Sequence, residues 1–309
     1  MRPVFQWAVG DRTIELGRRT LIMGVVNVTP DSFSDGGKFL DRGQAVEHGL
    51  RLLDDGADIL DIGGESTRPG VKVAVAVRPS HEKPAAKAAG EKAAVAADEE
   101  LRRVLPVISE IKRLRPETLI SVDTYKATVA RAAVEAGAEI VNDVSGLLWD
   151  PEMKKTLAAL PCGFVLMHMR GLPEEWKSLP PVADVVSLVK RELRDRVQQA
   201  ELAGIKKKRI VVDPGIGFGK NLEQNYPLLN RLNELQDLRL PLLVGTSRKS
   251  FVAKALEKNG EQPSPQDRLY GSLAAMMISI LHGAQIVRVH DVKPTADAVR
   301  VADAVLNSR

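Results

Sequence analysis

Residues 118–143 read Thr118-Leu-Ile-Ser-Val-Asp-Thr-Tyr125-Lys-Ala-Thr-Val-Ala-Arg-Ala-Ala-Val-Glu-Ala136-Gly137-Ala-Glu-Ile-Val-Asn-Asp143. A short apolar run, Thr118–Asp123, stops on a carboxylate. Tyr125–Ala136 then carries helical periodicity, and Gly137 follows it as a helix-ending glycine does. A second apolar run, Glu139–Asp143, stops on an amide and a carboxylate. Strand, helix, glycine, strand is the unit that builds a parallel sheet, because parallel strands need a crossover between them.

The same unit extends in both directions. Further candidate strands are Leu21–Asn27, Asp58–Gly63, Gly163–Met169, Arg209–Asp213, Leu240–Thr246 and Gln285–His290, which makes eight in all. Amphipathic stretches lie between them at Arg42–Asp55, Asp98–Leu114, Ala183–Ala203, Leu222–Leu232, Asp267–Leu281 and Thr295–Leu306. Gly56, Gly204 and Gly283 punctuate as Gly137 does. Eight strand–helix units predict an α/β fold, a single (β/α)8 TIM barrel. Arg12–Arg18 precedes the first strand and predicts a short N-terminal hairpin closing the barrel bottom.

A chain of 309 residues suits one such domain, since barrels of this kind run to about 250 residues as one unit. We therefore read residues 1–309 as a single domain. One stretch does not fit the pattern. Val71–Ala97 holds ten Ala and five Lys or Arg, with Pro79, Pro84 and Gly90. It has no coherent apolar face and reads as a mobile insertion.

Composition excludes several classes. The chain is 44% hydrophobic and 27% charged, as an ordinary globular protein is. Its net charge of +4 is too small an excess to predict a nucleic-acid partner. A single cysteine, Cys162, excludes an internal disulfide framework and a cysteine-based zinc site. Residues 1–11 carry no signal-like apolar run, and the longest apolar run, Leu273–Leu281, is far short of the ~18 residues a span needs. We expect a soluble cytoplasmic protein with no membrane partner.

In a TIM barrel, chemistry sits at the C-terminal ends of the strands. Those ends here are Asn27, Glu65-Ser66-Thr67-Arg68, Asp123, Asn142-Asp143, His168, Asp213, Ser247-Arg248-Lys249, Arg288 and His290. A polar group at nearly every strand end predicts an active site. Arg288 and His290, two apart, share a strand face. With Asn27 and Arg68 they suit an anion, because arginine forks onto phosphate oxygens; a salt bridge between Arg288 and an Asp is the plainer alternative. Asp123, Asn142, Asp213 and Lys249 suit a flat ring with donors and acceptors on its edge, or else buried ion pairs. Asp61 faces the same interior lower down, in a hydrogen-bonding role. The polar loop Asn27–Gly37 has the composition of a mobile active-site loop.

Other motifs fail. Gly215-Ile-Gly-Phe-Gly-Lys220 has neither P-loop nor G-x-G-x-x-G spacing. The five His never form H-x-H or H-E-x-x-H, which argues against a tightly bound transition metal. Gly245-Thr-Ser-Arg-Lys is not a nucleophile elbow, and Cys162 reads as a small buried residue.

Two long stretches carry a resemblance. Residues 22–37, Ile22-Met-Gly-Val-Val-Asn-Val-Thr-Pro-Asp-Ser-Phe-Ser-Asp-Gly-Gly37, and 61–70, Asp61-Ile-Gly-Gly-Glu-Ser-Thr-Arg-Pro-Gly70, resemble the first two signatures of the dihydropteroate synthases. Ser121–Thr124, Val141–Gly146, Leu166–Met169, Asp213–Lys220, Gly245–Phe251 and Arg288–Asp291 match further motifs in family order. The resemblance implies condensation of 6-hydroxymethyl-7,8-dihydropterin diphosphate with 4-aminobenzoate, Mg2+ as cofactor, sulfonamide competition and a homodimer packed through Asp267–Leu281. It implies pterin contacts from Asp123, Asn142, Met167, Asp213, Phe218, Lys249 and Arg288. It implies diphosphate contacts from Asn27, Arg68, Arg288 and His290, with Asn27 also touching the metal. It implies aminobenzoate contacts from Phe33, Thr67, Arg68, Pro69, Phe218, Lys249 and Ser250. The catalytic roles fall to Asp35, Asp123, Asp213 and Lys249. Val71–Ala97 departs from the family by lengthening the link to the next helix. Two rivals share the pterin-edge residues: a corrinoid-linked methyltransferase barrel and a non-catalytic pterin-binding paralogue. The first would not need the Asn27–Gly37 loop or the Ser247–Phe251 run, and both are present; the second should have lost an anion-pocket residue, yet Asn27, Arg68, Arg288 and His290 are all present.

Overall fold

The computed structural model describes residues 2–29, 38–66, 73 and 94–308. Two strands, β1 (Phe5–Val9) and β2 (Arg12–Leu16), pair antiparallel as the N-terminal hairpin. Eight parallel strands follow: β3 (Leu21–Asn27), β4 (Ile59–Gly63), β5 (Leu119–Asp123), β6 (Ile140–Asp143), β7 (Gly163–Met167), β8 (Ile210–Asp213), β9 (Leu243–Val244) and β10 (Ile286–Val289). Strand β10 pairs with both β3 and β9, and a Val212–Leu242 bridge joins β8 to the segment leading into β9. The sheet thus closes into the expected TIM barrel.

Outside it run α1 (Lys38–Asp54), α2 (Ala97–Leu114), α3 (Ala127–Glu135), α4 (Met153–Ala159), α5 (Val185–Leu202), α6 (Asn225–Asn230), α7 (Ser250–Ala255), α8 (Leu269–Leu281) and α9 (Val292–Asn307). Helices α4 and α7 went unpredicted; at seven and six residues they are too short to show a periodic face. The expected helix Leu222–Leu232 is instead α6 followed by a 3-10 turn, Leu232–Leu238. The expected strand Leu240–Thr246 keeps only β9 in the ladder. No helix among the described residues is long and apolar enough to cross a membrane. Residues 67–72 and 74–93, most of the Val71–Ala97 stretch, lie outside the described residues.

Strand alternation divides the core in two. Ile22, Val26, Leu60, Ile62, Ile120, Val122, Val141, Phe164, Val212 and Val287 point outward and pack under the helices. Leu21, Met23, Ile59, Ile140, Val165, Val211, Leu243 and Ile286 point inward and fill the lower barrel. The hairpin plugs the bottom: Trp7, Val9 and Leu16 join that inner cluster, and Trp7 Nε1 donates to the Arg209 carbonyl at 2.8 Å. Gly163 makes room for the plug, since a Cβ there would lie 2.9 Å from Val9 and 3.0 Å from Trp7. Higher up the same inward parity turns polar. Asp61, Ser121, Asp123, Asn142, Asp213 and Arg288 follow the apolar residues toward the strand ends. The apolar half anchors the barrel, and the polar half forms its mouth.

Candidate active site

Register brings the mouth residues together. Asn27 is level with Gly63, Gly63 with Asp123, Asp123 with Asn142, and Met167 with Asp213. Arg288 crosses the opening. Its Nε donates to Asp61 Oδ2 at 2.6 Å and its Nη2 to Asp123 Oδ2 at 2.6 Å. The salt-bridge alternative for Arg288 is therefore realised, with two carboxylates rather than one. Asn142 Nδ2 donates to the same Asp61 oxygen at 3.1 Å.

Burial and mutual charge tune these groups. Burial raises the Asp123 pKa to about 7; Arg288 pulls it back and Asp61 adds to the rise. Burial likewise raises Asp213, opposed by Lys249 and by the Gly215 N–H, which donates to Asp213 Oδ1 at 2.7 Å. Burial lowers Lys249 to about 8, with Asp213 opposing and Arg288 assisting. For Arg288, burial disfavours the charge, but Asp61 and Asp123 outweigh it and the pKa lies above its ordinary value. Perturbed groups of both signs in one opening mark a functional site.

Lys249 does not sit on a strand. It precedes α7, and Arg248 before it adopts a left-handed φ of 60°. That strain is held by four bonds to three partners: Arg248 pairs with Asp291 through two, its N–H donates to Ser272 Oγ, and its carbonyl accepts from Arg268. The turn delivers Lys249 Nζ to the Ile216 carbonyl at 2.5 Å and over the Phe218 ring at 4.7 Å. Phe218 packs edge-on against Trp176 at 5.2 Å. Ser250 opens α7 and is exposed. His290 turns inward beside Ser247, whose Oγ accepts from the His290 N–H at 3.2 Å.

The glycines of Gly215–Gly219 now have a reason. Gly215, Gly217 and Gly219 all take left-handed φ values, and a Cβ on Gly215 would lie 1.8 Å from the His168 carbonyl oxygen. Lys220, buried beneath, donates to the carbonyls of His168, Gly215 and Phe218 and to His168 Nδ1. It is a clamp for the loop that presents Phe218. Gly215→Ala is expected to lower stability by about 3 kcal/mol or more, through clash and φ strain together. Urea melts check this; a midpoint unchanged from wild type contradicts it.

Two strand-end groups belong elsewhere. Asp143 and His168 fall on outward parity. Asp143 accepts the N–H groups of Ser145 and Leu147, each at 2.8 Å, and so shapes the turn after β6. His168 lies between Lys220 and Glu192 of α5, at 2.8 and 3.0 Å. Sequence reasoning also passed over Lys126. Its Nζ bonds Glu65 at 2.5 Å and also Glu100, while Glu65 Oε1 accepts from the Val95 N–H. A cavity of about 390 Å³ at the barrel bottom is no competitor for the site. Its two cations are already paired, Lys112 with Glu139 and Arg12 with Glu117. Phe33, Asp35, Thr67, Arg68 and Pro69 lie outside the described residues.

The family model for pterin binding enzymes matches residues 23–79 and 85–290. A dihydropteroate synthase of Synechocystis is 40% identical over 297 residues, covering 96% of this chain and 94% of that protein. The chain belongs to the dihydropteroate synthase family. Among solved structures, Xanthomonas albilineans dihydropteroate synthase with 4-aminobenzoic acid is 42% identical, covers 100% of both chains and superposes with a TM-score of 0.83. The same enzyme in complex with 7,8-dihydropteroate is 41% identical, covers 96% of this chain and 97% of that one, and gives a TM-score of 0.78. Asp123, Asn142, Asp213, Lys249 and Arg288 all fall within the matched residues.

Proposed function

We propose that the chain joins 6-hydroxymethyl-7,8-dihydropterin diphosphate to 4-aminobenzoate, giving 7,8-dihydropteroate and diphosphate in folate biosynthesis. The observation that carries this reading is the inward ring of Asp123, Asn142, Asp213 and Lys249 around Arg288 at the barrel mouth. A pterin edge alternates N–H donors with oxygen and nitrogen acceptors. Asp123 and Asp213 accept, Lys249 donates, and the Asn142 amide serves either need. Met167 and Phe218 supply the apolar walls.

The C–O bond between the pterin methylene and diphosphate breaks, and its electron pair leaves on the diphosphate. Arg288, with Arg68, supplies the cations available to that leaving charge, and His290 is the imidazole beside them. The methylene left behind is a delocalised cation, which the Asp123 and Asp213 carboxylates stabilise. The amine nitrogen of 4-aminobenzoate then forms the C–N bond and gives up a proton, for which Asp35 is the candidate acceptor. A weak aniline nucleophile suits this dissociative order. Phe33, Thr67, Arg68, Pro69 and Ser250 complete the aminobenzoate side, with Phe218 and Lys249 shared between the two ligands. Sulfonamides are expected to compete there.

Asn27 is the protein ligand proposed for Mg2+. It ends β3 on inward parity, half-buried, with no side-chain hydrogen bond to a described residue. One amide oxygen fits an ion that keeps several waters and binds mainly through substrate phosphates. When bound, Mg2+ neutralises charge on the diphosphate.

Diphosphate release by the purified protein with Mg2+ and the pterin diphosphate, with and without 4-aminobenzoate, tests the reading. Release coupled to dihydropteroate is expected; tight pterin binding without product would favour a non-catalytic paralogue. The pH profile of kcat/KM reports free-enzyme groups. Asp123 must be ionised and Lys249 protonated, so activity is expected to rise through about pH 7 and fall above about pH 8. A profile flat from pH 6 to 9 would exclude these assignments.

We also propose a homodimer through α8 and α9, which pack side by side. They expose Tyr270 at 82%, Val301 at 64% and Val305 at 62%, and also Ile278 and Leu281. Large apolar side chains exposed on two neighbouring helices suit an interface. Ile278→Asp with Val301→Asp is expected to convert dimer to monomer in sedimentation; a wild type that sediments as a monomer overturns it. The single, buried thiol of Cys162 suits a reducing cytoplasm.

A further inference from the structure

We propose that Asp61 is a positioning residue of the pterin pocket, holding Arg288 and Asn142 so that the guanidinium can hand Asp123 over to the ligand without leaving the mouth. The inference rests on the function proposed above. Asp123 is assigned to the pterin edge, yet its Oδ2 is bonded by Arg288 Nη2. A ligand edge that takes both Asp123 oxygens must share Oδ2 with the arginine or displace it. Something must retain the arginine when it yields.

Asp61 has the geometry for that. It lies one inward step below the end of β4, fully buried, while Asp123 ends β5 one layer higher. It takes Nε, the inner nitrogen of the guanidinium, leaving the outer fork free to move. Rotation about the Nε anchor carries Nη1 and Nη2 away from Asp123 and toward the ring or the leaving diphosphate. The same Asp61 oxygen receives Asn142 Nδ2 at 3.1 Å, which fixes the amide orientation and leaves its carbonyl oxygen and second N–H for the ligand.

The other Asp61 oxygen has no hydrogen-bond partner among the described residues, and neither does Ser121 Oγ, which stands level with Asp61 on β5. A buried carboxylate with an unpartnered oxygen is costly for stability alone. An apolar residue would fill the layer at less cost, as Met23 and Ile59 do below. Retention of a charge at this depth is what a tether for a mobile guanidinium requires.

The test is a double-mutant cycle over Asp61→Asn and Arg288→Ala, read by calorimetric binding of the pterin diphosphate and by steady-state kinetics. Asp61→Asn is expected to weaken pterin binding about 10-fold, the scale of one charged hydrogen bond. The KM for the pterin diphosphate should rise more than kcat falls, with the 4-aminobenzoate KM little changed. In the Arg288→Ala background the same substitution should cost clearly less binding than in wild type, because only the hold on Asn142 is left to lose. Additive losses, or binding by Asp61→Asn within twofold of wild type, would overturn the proposal. Asp61→Glu, which keeps the charge and displaces it, carries the same cycle if the amide variant does not fold. A wild type that makes no dihydropteroate would overturn the proposed function; an active wild type with additive variants overturns the tether alone.

Discussion

Lys249→Ala is expected to lower kcat/KM by about 100-fold or more, the largest catalytic loss of any single change to a described residue. The ammonium is shared by both proposed ligand sites, so its removal costs a charged hydrogen bond to the pterin and a contact on the aminobenzoate side. Charged hydrogen bonds contribute about 1.5–3 kcal/mol each, which is roughly 10- to 150-fold. The change also strips Asp213 of the cation that opposes its burial, so the Asp213 pKa climbs further and less of it is ionised at neutral pH. Lys249→Arg is not expected to rescue. A planar fork does not place one donor as the compact ammonium does, on the Ile216 carbonyl and over the Phe218 ring at once. Steady-state kinetics with both substrates varied decide this. A variant within fivefold of wild type would remove Lys249 from the catalytic group.

Arg288→Ala is expected to be the most damaging change for stability, by about 3–5 kcal/mol, because it leaves buried carboxylates without their cation. Asp61 is fully buried and Asp123 is 15% exposed at its side chain, so solvent does little to replace the arginine. The loss has a defined pH dependence. The folded Asp123 pKa already lies above its unfolded value of about 3.9, and removing Arg288 takes away the group that lowers it. A raised folded pKa means stability that is present in acid and lost as pH rises. The deficit relative to wild type should therefore be smaller at pH 5 than at pH 8. Urea titrations at both pH values test it; equal deficits would show that the pairing with Asp123 contributes nothing.

Legibility in the sequence followed one physical rule. Side chains on a strand alternate, and a parallel barrel buries both faces. Apolar runs such as Leu21–Asn27 and Thr118–Asp123 therefore stood out, and their polar ends pointed to the mouth. Parity, applied to each end, also separates Asn142 from Asp143 and Met167 from His168. Asp143 and His168 looked like site residues only because they end strands; counting by twos places them under the helices. Lys220 and Lys126 left a weaker signal, a lone cation beside glycines or apolar residues, which does not say which carbonyls or carboxylates it meets. Helices of six or seven residues, α4 and α7, left none.

The sequence by itself determined the (β/α)8 order, the inward parity of Asp61, Asp123, Asn142, Asp213 and Arg288, and, through two long signatures, the family. These are local properties: period-two alternation, glycine at helix ends, and residue types in fixed spacing. Only the tertiary structure decided which charges meet. Arg288 could reach an anion or any of several carboxylates, and the choice of Asp61 and Asp123 depends on strand stagger around a closed barrel. The approach of Lys249 to Phe218 depends likewise on a left-handed turn at Arg248 braced by Asp291 and Ser272, neither adjacent in sequence. Pairings between strands 227 residues apart, as for Arg288 and Asp61, are set by closure of the sheet, and no local pattern encodes that distance.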